Sequence, residues 1–299
     1  MKIAKLWVYP IKSLQGIALN DMCFDELGPV ADRRYMLVDE QGSFFSQRQS
    51  ALLSQIKVEQ AGDTLQDGFH VFVPNQQQGH DTYYEPLFLD FLGQTDVTNL
   101  IKVAIWSDSL NVYWQQHALE KLISLFIGQP LRLVYISGID EMNDQRRVNE
   151  QYTRSKQLVG FADGFPSLIC TQASFNALSQ KIQRLAQDTP VNFSIERYRP
   201  NILVDIEDKE LGEKYTAFAE DNWQTLENEN VRFELVKPCS RCVIPTIEPS
   251  SAKKQSIVWN ALKALNSRDG ELYFGQNAMH TFFNKKSCIK VNDRLNVIS

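Results

Sequence analysis

The residues best suited to chemistry stand together late in the chain, in Lys237-Pro238-Cys239-Ser240-Arg241-Cys242-Val243-Ile244-Pro245-Thr246. Two thiols two residues apart, with a guanidinium between them, allow several chemistries. Zinc would want four ligands, often as two Cys-x-x-Cys pairs. No second pair exists, and His70, His80, His117 and His280 show no paired spacing. A thioredoxin-like redox pair needs its motif at the start of a helix. Here a strand-like run, Val243–Ile247, follows instead. A soft metal held by one thiolate beside a phosphate-binding arginine is the third option. Two cysteines buried at a strand turn would account for the segment with no chemistry at all, and the segment alone does not separate these readings.

Other segments add charge. Tyr9-Pro10-Ile11-Lys12-Ser13 places a lysine and a hydroxyl just past a strand end, a common place for an anion site. Asp32-Arg33-Arg34 opens a strand with two guanidinium groups, and Tyr198-Arg199-Pro200-Asn201 offers one more at the start of a later strand. Singly, each reads as surface charge. Together they suffice to hold one phosphorylated ligand. No acid–base pair stands out; Asp32 or Asp163 would at most orient a donor.

These segments need elements to position them. Strands are expected at Ile3–Tyr9, Arg34–Asp39, Leu131–Ile136, Asn201–Ile206, Val231–Val236, Val243–Ile247 and Ile289–Ile298, from their apolar, β-branched content and flanking turn residues. Residues 63–98, rich in Gln, Gly and Asp, read as irregular β structure with long loops. Apolar residues at helical spacing predict helices over His117–Phe126, closed by Gly128 and Pro130, and over Gln172–Ala186, with Thr171 as N-cap. Ser256–Ser267 is a third, on Trp259, Leu262 and Leu265. Their stripes are core packing. Strands outnumber helices and do not alternate with them, which disfavours a doubly wound sheet. The expected fold is mixed α/β, mainly β: a barrel-like sheet with flanking helices, preceded by an N-terminal β part, divided at residues 1–118 and 119–299.

Composition narrows the function classes. The 299 residues, 43% hydrophobic, are enough for one large or two modest cores. A net charge of −5 gives no electrostatic reason to expect nucleic acid as partner. No run approaches the roughly 18 apolar residues of a membrane helix. The N-terminus lacks the features of a signal peptide, so no membrane and a cytoplasmic location are expected. Five cysteines, an odd number, argue against a disulfide framework. Cys23, Cys170 and Cys288 are expected to pack as small hydrophobes.

Six ordered segments carry a resemblance: Tyr9-Pro-Ile-Lys-Ser13, Asp32-Arg-Arg-Tyr-Met-Leu-Val38, Phe161-Ala-Asp-Gly-Phe-Pro166, Tyr198-Arg-Pro-Asn-Ile202, Pro238-Cys-Ser-Arg-Cys242 and Phe274-Gly-Gln276. The chain resembles the MOSC proteins, named for the C-terminal domain of molybdenum cofactor sulfurase. It is most similar to the branch with an N-terminal β-barrel extension, which includes the mitochondrial amidoxime reducing component and bacterial hydroxylaminopurine-detoxifying relatives. The resemblance implies a MOSC β-barrel with flanking helices behind an N-terminal MOSC-associated β domain.

It also implies a molybdenum cofactor (Mo–molybdopterin), with Cys242 as metal ligand and catalytic residue. Lys12, Ser13 and Arg34 match positions that hold the pterin and its phosphate. Arg199, Ser240 and Arg241 match further contacts. Asn277 stands where mammalian relatives have Tyr, so only a backbone contact would survive there. The loop at Asp163-Gly164-Phe165-Pro166 lacks the small hydroxyl residues of those relatives. The implied reaction is removal of oxygen from a small N-hydroxylated substrate. No pyridoxal-phosphate domain and no plant-type iron–sulfur spacing are seen. Electrons are therefore expected from a separate donor: a flavoprotein, ferredoxin or cytochrome. The alternatives are a non-catalytic carrier of the cofactor, or a sulfur carrier on Cys239 or Cys242.

Overall fold

The computed structural model describes residues 1–298 apart from 76, 78–81, 91–98, 139–142, 154–155, 188, 207–215 and 284–286. The first strands are β1 (Lys2–Val8), β2 (Ile17–Leu19), β3 (Asp21–Asp25), β4 (Gly28–Pro29) and β5 (Tyr35–Val38). Then come β6 (Lys57–Gln60), β7 (Phe69–Phe72), β8 (Leu87–Leu89), β9 (Leu100–Ile105) and β10 (Asp108–Trp114). Helix α1 (Ala118–Ile127) leads into β11 (Arg132–Tyr135) and β12 (Ser167–Thr171), and α2 (Gln172–Ala186) into β13 (Ile202–Asp205), β14 (Thr225–Glu227) and β15 (Val231–Ser240). Helix α3 (Ser256–Leu265) precedes β16 (Ser267–Arg268), β17 (Glu271–Phe282), β18 (Cys288–Lys290) and β19 (Asn296–Ile298).

A nine-stranded sheet in the order β19-β14-β15-β17-β12-β13-β1-β2, with β16 attached to β17, dominates the fold. Its middle strands alternate cleanly. Leu6 and Val8, Ile169, and Ile202 and Val204 face one core cluster with Phe233 and Ala278. Trp7, Leu168, Cys170 and Leu203 face another, built with Leu178 and Ile182 of α2 and Ala261 and Leu262 of α3. A sheet covered on both faces needs continuous apolar runs. That is why β12 reads Ser-Leu-Ile-Cys-Thr, buried throughout. Each fully buried Leu or Ile contributes roughly 1.5–3 kcal/mol relative to exposure.

The mainly β fold, with three α-helices among the described residues, matches expectation. Among the described residues the ladders form an open path and no closed barrel. Smaller sheets order as β5-β11-β10-β9, β6-β7-β8 and β18-β3-β4. The β1–β13 and β5–β11 ladders tie early strands to late ones.

Helix boundaries follow their caps. His117 Nδ1 accepts from Leu119 N at 3.1 Å, and Gly128, at φ +85°, ends α1 in the left-handed region that glycine adopts without a Cβ clash. Thr171 Oγ1 accepts from Ser174 N at 3.2 Å to open α2. Leu185, expected in the α2 stripe, is exposed.

Three expectations are corrected. Val243–Ile247 is not a strand: Ile244–Thr246 form one 3-10 turn, with Pro245 inside it and Thr246 N bonded to Val243 O at 3.0 Å. Proline sets the φ of that turn and has no N–H for a ladder. The final strand is two pieces, β18 and β19, because Asn292 adopts φ +76° between them. Cys23 and Cys288 are not separate hydrophobes. They face each other across β3 and β18 and form a disulfide that joins residues 265 positions apart. Of the scattered three, Cys170 alone is free and buried. Within residues 63–98, β7 and β8 confirm β structure, whereas 76, 78–81 and 91–98 lie outside the described residues.

Candidate active-site cleft

Sheet order brings the singled-out segments to one end of the large sheet. β1 runs antiparallel to β13, so residues 9–13 leave the sheet where Arg199–Asn201 enter it. β12 lies parallel to β13 and antiparallel to β17, which in turn carries β15 and its terminal Ser240. Asn201, fully buried, knits these starts together. Its Oδ1 accepts from Leu168 N and from Arg33 Nη1, each at 3.1 Å, and its Nδ2 donates to Trp7 O at 3.2 Å.

The β15–β17 ladder shifts register between Leu235 and Lys237 and again between Pro238 and Ser240. Irregularities of this kind re-aim side chains beside a site. Gly275, at φ +78°, makes the second shift possible: a Cβ there would sit 2.6 Å from Cys170 Sγ and 2.9 Å from Ile169 O.

The cleft that results contains Lys12, Ser13, Arg199, Ser240, Arg241, Cys242 and Asn277, seven of the eight expected site residues. Arg34 is the exception. Its guanidinium is buried and paired with Asp25 at 2.5 Å, outside the cleft. Its neighbour Arg33 lines the cleft instead. Arg33 precedes β5 in a left-handed turn, φ +47°, and the chain's change of direction there sends the Arg33 and Arg34 side chains to different places.

Charge is concentrated at the inner end. The Arg33 and Arg199 guanidiniums lie 4.6 and 4.2 Å from the centre of the same Tyr9 ring. An aromatic face attracts a cation, and one ring here holds two that would otherwise repel. Arg33 is tied by Nη1 to Asp32 at 2.6 Å and by Nη2 to Arg199 O at 2.9 Å. Arg199 Nη1 donates to Leu14 O at 2.6 Å. Burial, with Arg33 close by, pulls the Arg199 guanidinium down to about 10, still cationic at neutral pH.

Lys12 Nζ donates to Phe161 O at 2.8 Å and to Asp163 Oδ1 at 2.5 Å. Burial lowers its pKa, and Asp163 opposes that shift. Burial works the other way on Asp163, but the Lys12 ammonium, with Arg33 and Arg48, holds its carboxyl below the usual carboxylate range. Ser13, Arg33 and Arg199 all adopt positive φ (75°, 47° and 57°). Strained non-glycine backbone of this kind costs of order 1–3 kcal/mol per residue and clusters at functional sites.

At the outer end Cys239 and Cys242 are free and half-buried. Arg241 Nη1 lies 3.0 Å from Cys239 Sγ, and its Nη2 donates to Tyr198 O at 2.8 Å. Among the described residues, Arg199 Nη2, Arg241 Nε, Ser167 Oγ and the Tyr198 hydroxyl are buried without a hydrogen-bond partner. Such groups cost roughly 1–3 kcal/mol each when left unpaired, and a bound ligand is one remedy.

The MOSC N-terminal beta barrel domain matches residues 1–130 and the MOSC domain matches residues 156–296. The chain belongs to the MOSC-domain family. Human mitochondrial amidoxime-reducing component 1 is 25% identical over 83% of this chain and 67% of its own length. Rat mitochondrial amidoxime reducing component 2 is 27% identical over the same shares. Bovine molybdenum cofactor sulfurase is 24% identical over 93% of this chain, which spans only 30% of that protein.

Several cleft residues of this MOSC protein were not singled out in advance. Of the two guanidinium groups in Asp32-Arg33-Arg34, the one that lines the cleft is Arg33, where the family resemblance implies Arg34. Phe44 and Arg48, and Trp106 in the β9–β10 turn, reach the cleft only through tertiary packing. Among the described residues no cluster of three or more His, Cys, Asp or Glu could hold a metal ion. No helix among them is long and apolar enough to cross a membrane.

Proposed function

We propose that the cleft binds a molybdenum–pterin cofactor with the Cys242 thiolate as its protein ligand, and that the chain reduces N-hydroxylated compounds with electrons from a separate donor protein. One observation carries this reading: a free, half-buried thiol shares a cleft with Lys12, Arg33, Arg199 and Arg241, two of which keep an unpartnered nitrogen. A lone thiolate suits a metal that brings most of its ligands with it. Fixed guanidinium groups and a lysine suit a phosphate dianion. Membership of the MOSC family, beside relatives named for amidoxime reduction and for the molybdenum cofactor, supports the same assignment.

When bound, the metal centre supplies two-electron oxygen-atom transfer, which takes an N–OH substrate to the amine. The chain's residues bind and orient. Arg33 and Arg199, held on Tyr9, would receive the phosphate, and Lys12 would complete the charge. Asp163 is ionised at neutral pH beside Lys12, so it clamps the lysine and does not donate a proton. Arg241 would hold the thiolate side through its free Nε.

The test is molybdenum per chain, by elemental analysis, in wild type and Cys242→Ala purified from a host that makes the cofactor. About one per wild-type chain and a large loss in the variant are expected. Absence of molybdenum from both, with cofactor supply verified, would overturn the assignment and leave the sulfur-carrier alternative, tested by persulfide detection on Cys239 and Cys242. Full molybdenum without turnover of any N-hydroxylated compound under a chemical reductant would leave a non-catalytic carrier.

A further inference from the structure

The cleft opens to solvent beside Cys242 through a mouth whose walls are aromatic and cationic. Trp106 stands on one wall, at φ +54° in the turn between β9 and β10, and is 44% exposed. A bulky residue in the left-handed region is an outlier, and here it leaves a large ring uncovered. Phe165 and Trp259 line the same mouth. Trp106 is the exposed ring of the mouth, whereas Trp259 is half-buried and Phe165 is buried.

Two cations flank these rings. The Arg48 guanidinium lies 4.5 Å from the Trp106 ring centre. It makes no hydrogen bond and has no carboxylate within 4 Å among the described residues. Lys237 Nζ bonds the Tyr152 hydroxyl at 3.2 Å, lies 5.8 Å from the Phe165 ring centre, and likewise has no carboxylate partner there. Of the acids at the mouth, Asp163 is paired with Lys12. Glu271 accepts from the Tyr273 hydroxyl at 3.2 Å, which leaves its charge in place, and it pairs with neither Arg48 nor Lys237. The inner cations are committed to the anion cradle. Arg48 lines both the cleft and its mouth, and Lys237 lines the mouth alone.

We infer that this mouth selects planar N-hydroxylated substrates that bear an anionic group, with Trp106 stacking the plane and Arg48 and Lys237 receiving the charge. This rests on the reductase reading above and adds the substrate class. An ion pair at an exposed mouth is modest and screened by salt, so the preference is a matter of fold-change and not of all or none.

The probes are benzamidoxime and its 4-carboxylate, compared as kcat/KM on molybdenum-loaded protein with a chemical reductant. Binding of the unreactive pair benzamide and 4-carboxybenzamide is measured by calorimetry. The acid is expected to be favoured about five- to tenfold at low salt in both measurements. The preference should shrink at 0.5 M salt, where the Debye length falls to about 4 Å. In Arg48→Gln and Lys237→Gln the ratio of acid to neutral twin should fall toward one, with molybdenum per chain unchanged. An active enzyme with equal rates for both twins overturns the inference and leaves the reductase reading intact. Loss of molybdenum in Arg48→Gln overturns it differently, by placing Arg48 in the cofactor cradle. Failure of the loaded protein to turn over either twin, while binding them equally, would remove both the inference and the activity on which it rests.

Discussion

In the cleft, four cationic groups are drawn together and kept charged. Beside the start of α2, a single carboxylate, Glu220, is buried without a counter-charge and keeps its proton up to about neutral pH. Arg33, Arg199 and Lys12 are held by Asp32, by Asp163, by backbone carbonyls and by the Tyr9 ring. Glu220 is 2% exposed, and its Oε1 accepts from Ser174 Oγ at 2.6 Å. Among the described residues it has no Lys or Arg partner within 4 Å. Burial pushes it up to about 7, with Asp221 adding to the shift. Its Oε2 is buried without a partner, and with no counter-charge beside it burial favours the neutral acid, whereas counter-charges keep an ion inside a protein. The cleft has those counter-charges and still leaves donors over. Unpartnered cationic donors fit a site completed by an anion, whereas the Glu220 hollow has no cation within 4 Å among the described residues and fits an acid that keeps its proton.

The largest effect should come from the hollow. Below pH 4.5 Glu220 is protonated folded or unfolded. As pH rises from 4.5 to 7 the unfolded chain loses the proton first, so the native state holds more protons and stability falls across that window. The difference of 2.5 units amounts to about 3 kcal/mol, lost by pH 8. Glu220→Gln removes the titration. Urea unfolding should show the variant gaining on wild type by up to this amount between pH 4.5 and pH 8. A constant difference between the two proteins across that range would mean that Glu220 ionises normally, and the contrast between the two regions would collapse.

A smaller effect separates two adjacent arginines. Arg33→Gln should weaken cofactor retention roughly tenfold or more, as expected for a charge-assisted hydrogen bond. Arg34→Gln should leave retention near wild type and instead lower thermal stability, because Asp25 and the Pro29 carbonyl lose their buried donor. Molybdenum remaining after dialysis, read beside melting temperature, distinguishes them. Equal loss of metal in both variants would return Arg34 to the site.

This pair also shows what was legible in advance. The segment Asp32-Arg33-Arg34 was visible as an anion-binding candidate, and so were Lys12, Arg199 and Cys242, because each is a donor or thiol at a strand end. Which arginine faces inward depends on the left-handed turn at Arg33 and on where the ladder of β5 with β11, almost a hundred residues away, places that turn. Helices were legible nearly to the residue, since Thr171 and Gly128 are local signals. The Cys23–Cys288 bond was not, because a count of five cysteines carries no information about two chain ends meeting in one small sheet. Arg48 and Trp106 were invisible for the same reason. Nothing local distinguishes them from surface residues until the β9–β10 turn is placed against the end of β15.

Ser13 gives the finest test, because there backbone strain and ligand chemistry can be separated. Its φ of +75° is unfavourable for any residue with a Cβ. Its carbonyl accepts from Gln47 Nε2 at 2.6 Å, while its hydroxyl has no partner among the described residues. Ser13→Gly relieves the strain but gives the unfolded chain more freedom, so stability should change by less than about 1 kcal/mol. Ser13→Ala keeps the strain, and should be about 1 kcal/mol less stable than the glycine variant. Both lose the hydroxyl. If that hydroxyl serves the ligand, both variants should retain molybdenum a few-fold less well than wild type, whichever is the more stable. Retention that instead follows stability, with Ser13→Gly holding metal as well as wild type, would mean that Ser13 shapes the loop and touches nothing in it. The anion cradle would then be built from Lys12, Arg33 and Arg199 alone.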